Sequence, residues 1–120
     1  MSKQAHWLDD VEAHDYDAAE EYLSLLMLGG SARSIALSLK SASPFRWFKA
    51  KDILRASGLP ALPESNAHVH KDLWKIKDGE KLSPILLFRG GHDLIIADGY
   101  HRVCASYILD ENAEIPAKLV

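Results

Sequence analysis

Two apolar runs joined by a glycine pair and ended by an abrupt Asp-Gly constrain this chain more than any other feature. Pro84-Ile85-Leu86-Leu87-Phe88 reads as a buried strand, and Leu94-Ile95-Ile96-Ala97 as a second one. Gly90-Gly91 between them suits the turn of a hairpin. Asp98-Gly99 then breaks the strand pattern. Tyr100, Val103, Cys104, Tyr107 and Ile108 follow at helical spacing, the cleanest amphipathic stripe in the sequence. Buried strands need helices to cover them, and the remaining residues supply several.

Upstream, Ala19, Tyr22, Leu23, Leu26 and Met27 share one helical face over residues 17–28, with Asp17 as its N-cap and Glu20 three residues on. Gly29-Gly30 is placed to stop that helix. Ser31 then caps a second helix carrying Ala32, Ile35, Ala36 and Leu39, which makes a helical hairpin. Ser41-Ala42-Ser43-Pro44 is a turn, and Phe45-Arg46-Trp47-Phe48-Lys49-Ala50 a short aromatic strand. A short helix over residues 52–56 ends at Gly58, and Pro60 and Pro63 bracket a loop. Asn66 caps a helix with Val69, Leu73 and Ile76 on one face, ending at Asp78-Gly79. Ile115 to Val120 is a closing strand. The order αα, β, α, α, ββ, α, β specifies an α+β fold, a small mixed sheet packed by helices, in a single domain. Residues 1–42 read as an N-terminal helical extension and residues 44–120 as the core.

Composition narrows the function classes. With 48% hydrophobic and 26% charged residues over 120 positions, the chain is an ordinary globular sequence, not a disordered or fibrous one. One cysteine forms no intramolecular disulfide and no zinc quartet, so a reducing cytoplasm is the expected compartment. No run approaches a membrane span, and residues 1–7 lack the apolar run of a signal peptide. The net charge of -3 disfavours a freestanding nucleic-acid binder. It also hides a split. Residues 1–30 hold one Lys against seven acids, whereas residues 31–120 hold thirteen Lys and Arg against ten acids.

The strand-to-helix junction Ala97-Asp98-Gly99-Tyr100-His101-Arg102 carries the chemistry. A helix start offers unpaired backbone N–H groups and the positive end of the macrodipole, which together attract anions. Gly99 permits close backbone approach, and His101 and Arg102 bring side-chain donors into the first turn. Cations there oppose the dipole, and a bound phosphate would justify them. A second reading stays open, in which Asp98 caps the helix and pairs with Arg102. Asp98 also fits a contact to a ribose hydroxyl or to Mg²⁺ through water.

Residues 82–108, with Leu82-Ser83-Pro84-Ile85 leading into the hairpin and Asp98-Gly99-Tyr100-His101-Arg102, resemble the core of the ParB/sulfiredoxin-like superfamily, and the likeness extends over about residues 44–120. The resemblance implies that the turn binds nucleotide phosphates: ATP as in sulfiredoxins, CTP as in ParB proteins, or ADP as in related free-serine kinases whose turn also reads Asp-Gly-x-His-Arg. It places Gly99, Tyr100, His101 and Arg102 at a phosphate, with Mg²⁺ accompanying a nucleotide, and Lys49 or Lys51 at the border of the cleft. NTP hydrolysis or phosphotransfer would fit such a site. Two departures matter. Tyr100 stands where sulfiredoxins carry their catalytic cysteine, so thiol chemistry is not expected. No helix-turn-helix follows before Val120, so sequence-specific DNA binding is not expected.

Other features have plainer readings. Cys104 falls on the apolar helix face and reads as a small buried hydrophobe. His68 and His70 point apart on a helix and read as cap or loop histidines, not metal ligands. His92 sits in the hairpin turn. Arg46, Lys49, Lys51 and Arg55 read as a solvated face, and Phe45, Trp47 and Phe48 as core more than a base-stacking platform. Glu64 and Asp93 are too distant from Asp98 to make the acid cluster that nuclease chemistry requires. The alternative function class is an interaction or oligomerisation module that docks a protein partner, or a second copy, through the acidic N-terminal helices.

Overall fold

The computed structural model describes residues 4–43 and 45–120. Met1 to Lys3 and the Pro44 of the expected turn lie outside the described residues. The elements run β1 (His6–Trp7), α1 (Ala13–Leu23), α2 (Gly29–Ser41), β2 (Arg46–Lys49), α3 (Ala50–Ser57), α4 (Ala67–Lys77), β3 (Lys81–Leu82), β4 (Ile85–Arg89), β5 (Leu94–Asp98), α5 (Tyr100–Leu109) and β6 (Glu114–Leu119). This is the expected α+β order, with two two-residue strands added.

The main sheet has the order β2-β6-β4-β5. β4 and β5 form the expected antiparallel hairpin, β6 lies parallel to β4, and β2 pairs antiparallel with β6. The sheet is mixed because the chain leaves β5, crosses over through α5 and returns as β6 between β2 and β4. β1 and β3 pair in parallel as a separate two-stranded piece, His6 against Lys81 and Trp7 against Leu82. Two residues carry no periodicity, so sequence patterning had nothing to register there.

Alternation along the strands divides the interior into two layers. Ile85 and Leu87 of β4, Ile96 of β5 and Ile115 and Ala117 of β6 pack with α3, α4 and α5 through Ile53, Val69, Leu73, Ile76, Val103 and Cys104. Leu86 and Ala97 face the other way and pack with Tyr16, Ala19 and Leu23 of α1 and Ala32 and Leu39 of α2. The N-terminal hairpin is thus one whole outer layer of a three-layer arrangement. Lys118 of β6 projects into that layer, where its Nζ donates to the Tyr16 hydroxyl at 2.8 Å and the Lys40 carbonyl at 3.2 Å. The ammonium also stands 5.4 Å from the Tyr16 ring centre and 5.7 Å from that of Phe45. Those contacts, with the Asp10 carboxylate at 3.7 Å, are what allow a lysine to be 7% exposed.

The hairpin differs in detail from the expectation. α1 begins at Ala13, not Asp17, and ends at Leu23; Gly29-Gly30 opens α2 with Leu28 as its cap residue, so the glycines do not close α1. The start is set by docking, not by a local cap. Asp15 and Tyr16 are buried against the sheet, and the Glu12 N–H donates to Ser83 Oγ at 3.0 Å. Leu26, expected on the buried face, lies beyond the helix end and is 51% exposed. Trp47 is likewise 54% exposed on the edge strand β2, where its outward face has no covering layer.

Local signals hold better where a cap or turn is made within a few residues. Gly58 takes a left-handed φ of 68° and closes α3. Asn66 accepts from the His68 and Val69 N–H groups at 3.0 and 3.1 Å. Asn66→Ala is therefore expected to cost about 1 kcal/mol of stability, whereas Asp17→Ala, inside α1, should change it by no more than about 0.5 kcal/mol. Urea unfolding of the two variants checks this.

Candidate functional site

β5 ends at Asp98, and Gly99 makes the turn into α5 with a φ of 110°. A methyl group at Gly99 would run into Ile85 Cγ2 and stand 2.9 Å from Ile85 Cβ and 3.0 Å from Arg102 Nη2. Only glycine meets both the backbone angle and the space. Asp98 does not cap α5, as one reading expected: no side chain among the described residues bonds to the helix start. The first-turn amides are left for solvent or a ligand.

The other half of that reading holds, since Asp98 does pair with Arg102. The guanidinium is 13% exposed and donates from Nη2 to Asp98 Oδ2 at 2.6 Å, and from Nη1 to Asp15 Oδ2 at 3.1 Å and the Ser83 carbonyl at 3.0 Å. Three of its five N–H groups are committed. One side chain therefore joins α5, β5, α1 and the segment before β4. Asp15 is further contacted by His14, Nε2 to Oδ1 at 3.2 Å.

These groups line a cleft of about 210 Å³, together with Glu12, Asp72, Lys75, Lys81, Gly99 and His101. Burial pushes the Asp98 carboxyl up to about 6; Arg102 opposes the rise and the neighbouring Asp15 adds to it. Asp72 is also raised by burial, against the pull of Arg102, Lys75, His101 and Lys71. Burial holds His101 below its ordinary value, and His68, whose ring centre is 4.8 Å away, adds to that effect. Burial therefore disfavours the charged form of the His101 imidazole in the cleft.

The remaining candidates separate. The Tyr100 hydroxyl turns away and donates to the Pro60 carbonyl at 2.6 Å, tying the loop before α4 to α5. Lys49 and Lys51 do not line the cleft. Lys49 stands opposite Glu114 in the register, whereas Asp98 is level with Leu86 and Lys118, three strands across and four β6 residues further along, so the two are roughly 20 Å apart at ordinary strand geometry. Cys104 is fully buried, and burial raises its thiol while its Sγ accepts from the Leu62 N–H at 3.5 Å. It is the small core residue that its position implied. His70 accepts from Trp74 Nε1 at 3.0 Å; Glu64, Asp93 and His92 are exposed, away from the cleft. No group of three His, Cys, Asp or Glu among the described residues is placed to hold a metal ion, and no helix among them is long and apolar enough to cross a membrane.

Asp15, Asp72, Lys75 and Lys81 are cleft residues that sequence reasoning passed over. One signal existed. Asp15 sits four residues before Ala19 and eight before Leu23, on the buried stripe itself, and an acid there demands a buried partner. No family model, no curated protein and no solved structure matches the chain.

The carboxyl pair sets a pH dependence. A carboxyl raised in the folded state binds protons more tightly there than in the unfolded chain. The Asp98 contribution is thus fully present below the ordinary carboxyl value of 3.8 and lost as pH rises through about 6. Unfolding free energies at pH 5 and pH 7.5 should show the wild type losing more stability on the rise than Asp98→Asn. The Asp98 carboxyl, followed by carbon NMR, should titrate near 6 and move lower in Asp15→Asn.

Proposed function

We propose that the chain binds a phosphorylated ligand where α5 opens into this cleft, either a nucleotide such as ATP, ADP or CTP with Mg²⁺ or a smaller phosphorylated molecule. The observation that carries the reading is the uncapped start of α5 behind Gly99, beside the His101 imidazole and the Lys75 and Lys81 side chains. Backbone amides and the helix dipole favour an anion at that point, and Lys75 and Lys81 offer donors there against the four carboxylates of Glu12, Asp15, Asp72 and Asp98, two of which Arg102 pairs. The resemblance to the ParB/sulfiredoxin-like superfamily supports the same turn. About 210 Å³ is below the ~300–1,000 Å³ of sites that enclose a whole small molecule. The cleft suits one or two phosphoryl groups, with the rest of a nucleotide lying outside it.

Arg102 has a different part in this reading from the one its motif position suggests. With Asp15, Asp98 and Ser83 on its guanidinium, it braces the turn and leaves the amides, His101 and the lysines to meet the phosphate. Phosphotransfer or hydrolysis at this site would rest on charge stabilisation by those groups.

Titration calorimetry with ATP, ADP and CTP, each with and without Mg²⁺, tests the proposal. Saturable binding by one of them is expected, weakened by about tenfold in Lys75→Ala, whose charge-assisted contact is worth roughly 1.5 kcal/mol. No saturation at millimolar ligand would overturn it. Arg102→Ala is a different measurement. It should cost roughly 3–5 kcal/mol of stability, because two buried carboxylates lose their counterion.

A second reading is an interaction module docking through the N-terminal hairpin. It is favoured by the tip between α1 and α2, where Leu25 and Leu28 are 82% and 83% exposed beside the half-exposed Leu26. Adjacent large apolar side chains of this kind mark contact surfaces. Sedimentation analysis should then show self-association that Leu25→Glu with Leu28→Glu abolishes without loss of helicity. A monomer at all concentrations would remove the second-copy form of this reading.

A further inference from the structure

A larger concavity lies at the opposite end of α5, where residues 4–9, β2, the end of α5 and the start of β6 meet. It is a groove of about 920 Å³, within the ~300–1,000 Å³ of small-molecule sites. Its walls include Trp7, Phe45 and Trp47, and its charged groups are Asp9, Asp110 and Glu114, with no Lys or Arg among the described lining residues. Trp47 is 54% exposed, a large aromatic surface left open on the groove. The Trp7 and Trp47 rings and the three carboxylates attract an organic cation, by the ring quadrupoles and by direct charge, while the Phe45 ring already has Lys118 Nζ 5.7 Å from its centre. The helix adds to the attraction. Leu109 and Asp110 line the groove at the C-terminal end of α5, where the negative end of the macrodipole favours positive charge.

Ser106 supplies an independent observation. It lines the groove, is 1% exposed, and its hydroxyl has no hydrogen-bond partner among the described residues. Buried hydroxyls are rarely left so, and each such exception calls for a missing partner. A hydroxyl accepts from an N–H donor, which favours a guanidinium or a primary ammonium over a fully alkylated one.

We infer that this groove binds a small organic cation bearing N–H donors, a guanidine or primary amine, held between the aromatic walls and the carboxylates with a hydrogen bond to Ser106. The site is independent of the α5 cleft and of what binds there.

Tryptophan emission reads occupancy, because Trp7 and Trp47 line the groove while Trp74 lies on α4. Agmatine is expected to bind saturably at low ionic strength and more weakly as salt rises. Trp47→Ala should weaken it about tenfold, in line with a desolvated cation–π contact. Glu114→Gln should weaken it several-fold, and Lys75→Ala, in the other cleft, should leave it unchanged. Ser106→Ala is the most informative variant. It removes an unpaired hydroxyl, so folding stability should be held or raised while agmatine affinity drops. Absence of saturable binding at millimolar agmatine, equal affinity for tetramethylammonium, or unchanged affinity in Ser106→Ala would each overturn the assignment. Tighter binding of an arginine tripeptide than of agmatine would overturn it in favour of a peptide partner.

Discussion

One guanidinium organises this protein. Arg102 lies within the first turn of α5, where a cation opposes the helix dipole, and it is largely buried, where an unpaired charge is costly. Both penalties are met by Asp98 at the end of β5 and Asp15 on α1, with the Ser83 carbonyl as a third acceptor. Because the partners come from opposite sides of the sheet edge, the ion pairs hold the outer helical layer, the strand end and α5 in one register. Burial raises Asp98 to about 6 against the pull of Arg102, and the second carboxylate around that single cation, Asp15, adds to the rise. The turn is accordingly rigid in its backbone and responsive in its charge.

That arrangement changes what the Asp-Gly-Tyr-His-Arg motif can do. Read along the chain, His101 and Arg102 look like equivalent donors beside a helix start. In space they divide. Arg102 faces its carboxylates, His101 enters the cleft against His68, and Tyr100 leaves it for Pro60. The anion-attracting part is the backbone itself, with Lys75 and Lys81 brought in from α4 and β3. The proposed phosphate site is thus less a cluster of motif side chains than a helix end held open.

What the sequence reveals depends on how far away the deciding contact lies. The hairpin of β4 and β5, the Asn66 cap and the Gly58 and Gly99 turns are settled by neighbours within a few residues, and each stands where the residues place it. The start of α1 is settled by Arg102, 87 positions away, and by Ser83, 71 positions from Glu12. No local cap could compete with those contacts, so the Asp17 signal was outweighed. The same distance hid Asp72 and Lys75 as cleft residues: each flanks the Val69, Leu73 and Ile76 stripe, where charged side chains ordinarily meet water. Only Asp15, lying on an apolar stripe, announced a buried partner in advance.

The two ends of α5 then acquire opposite characters from one element. At its N-terminus, uncapped amides meet a cleft of mixed lysines and carboxylates; its C-terminal end meets a groove supplied with aromatics and carboxylates. The macrodipole sets that polarity; the carboxylates at the C-terminal groove reinforce it, whereas at the N-terminal cleft lysines and carboxylates are mixed. Val103, Cys104 and Ala105 between them are fully buried, so the helix itself is a fixed strut in the core. Occupancy at either end would therefore act on charge at that end and not by shifting the helix, which makes the two sites separable by single substitutions.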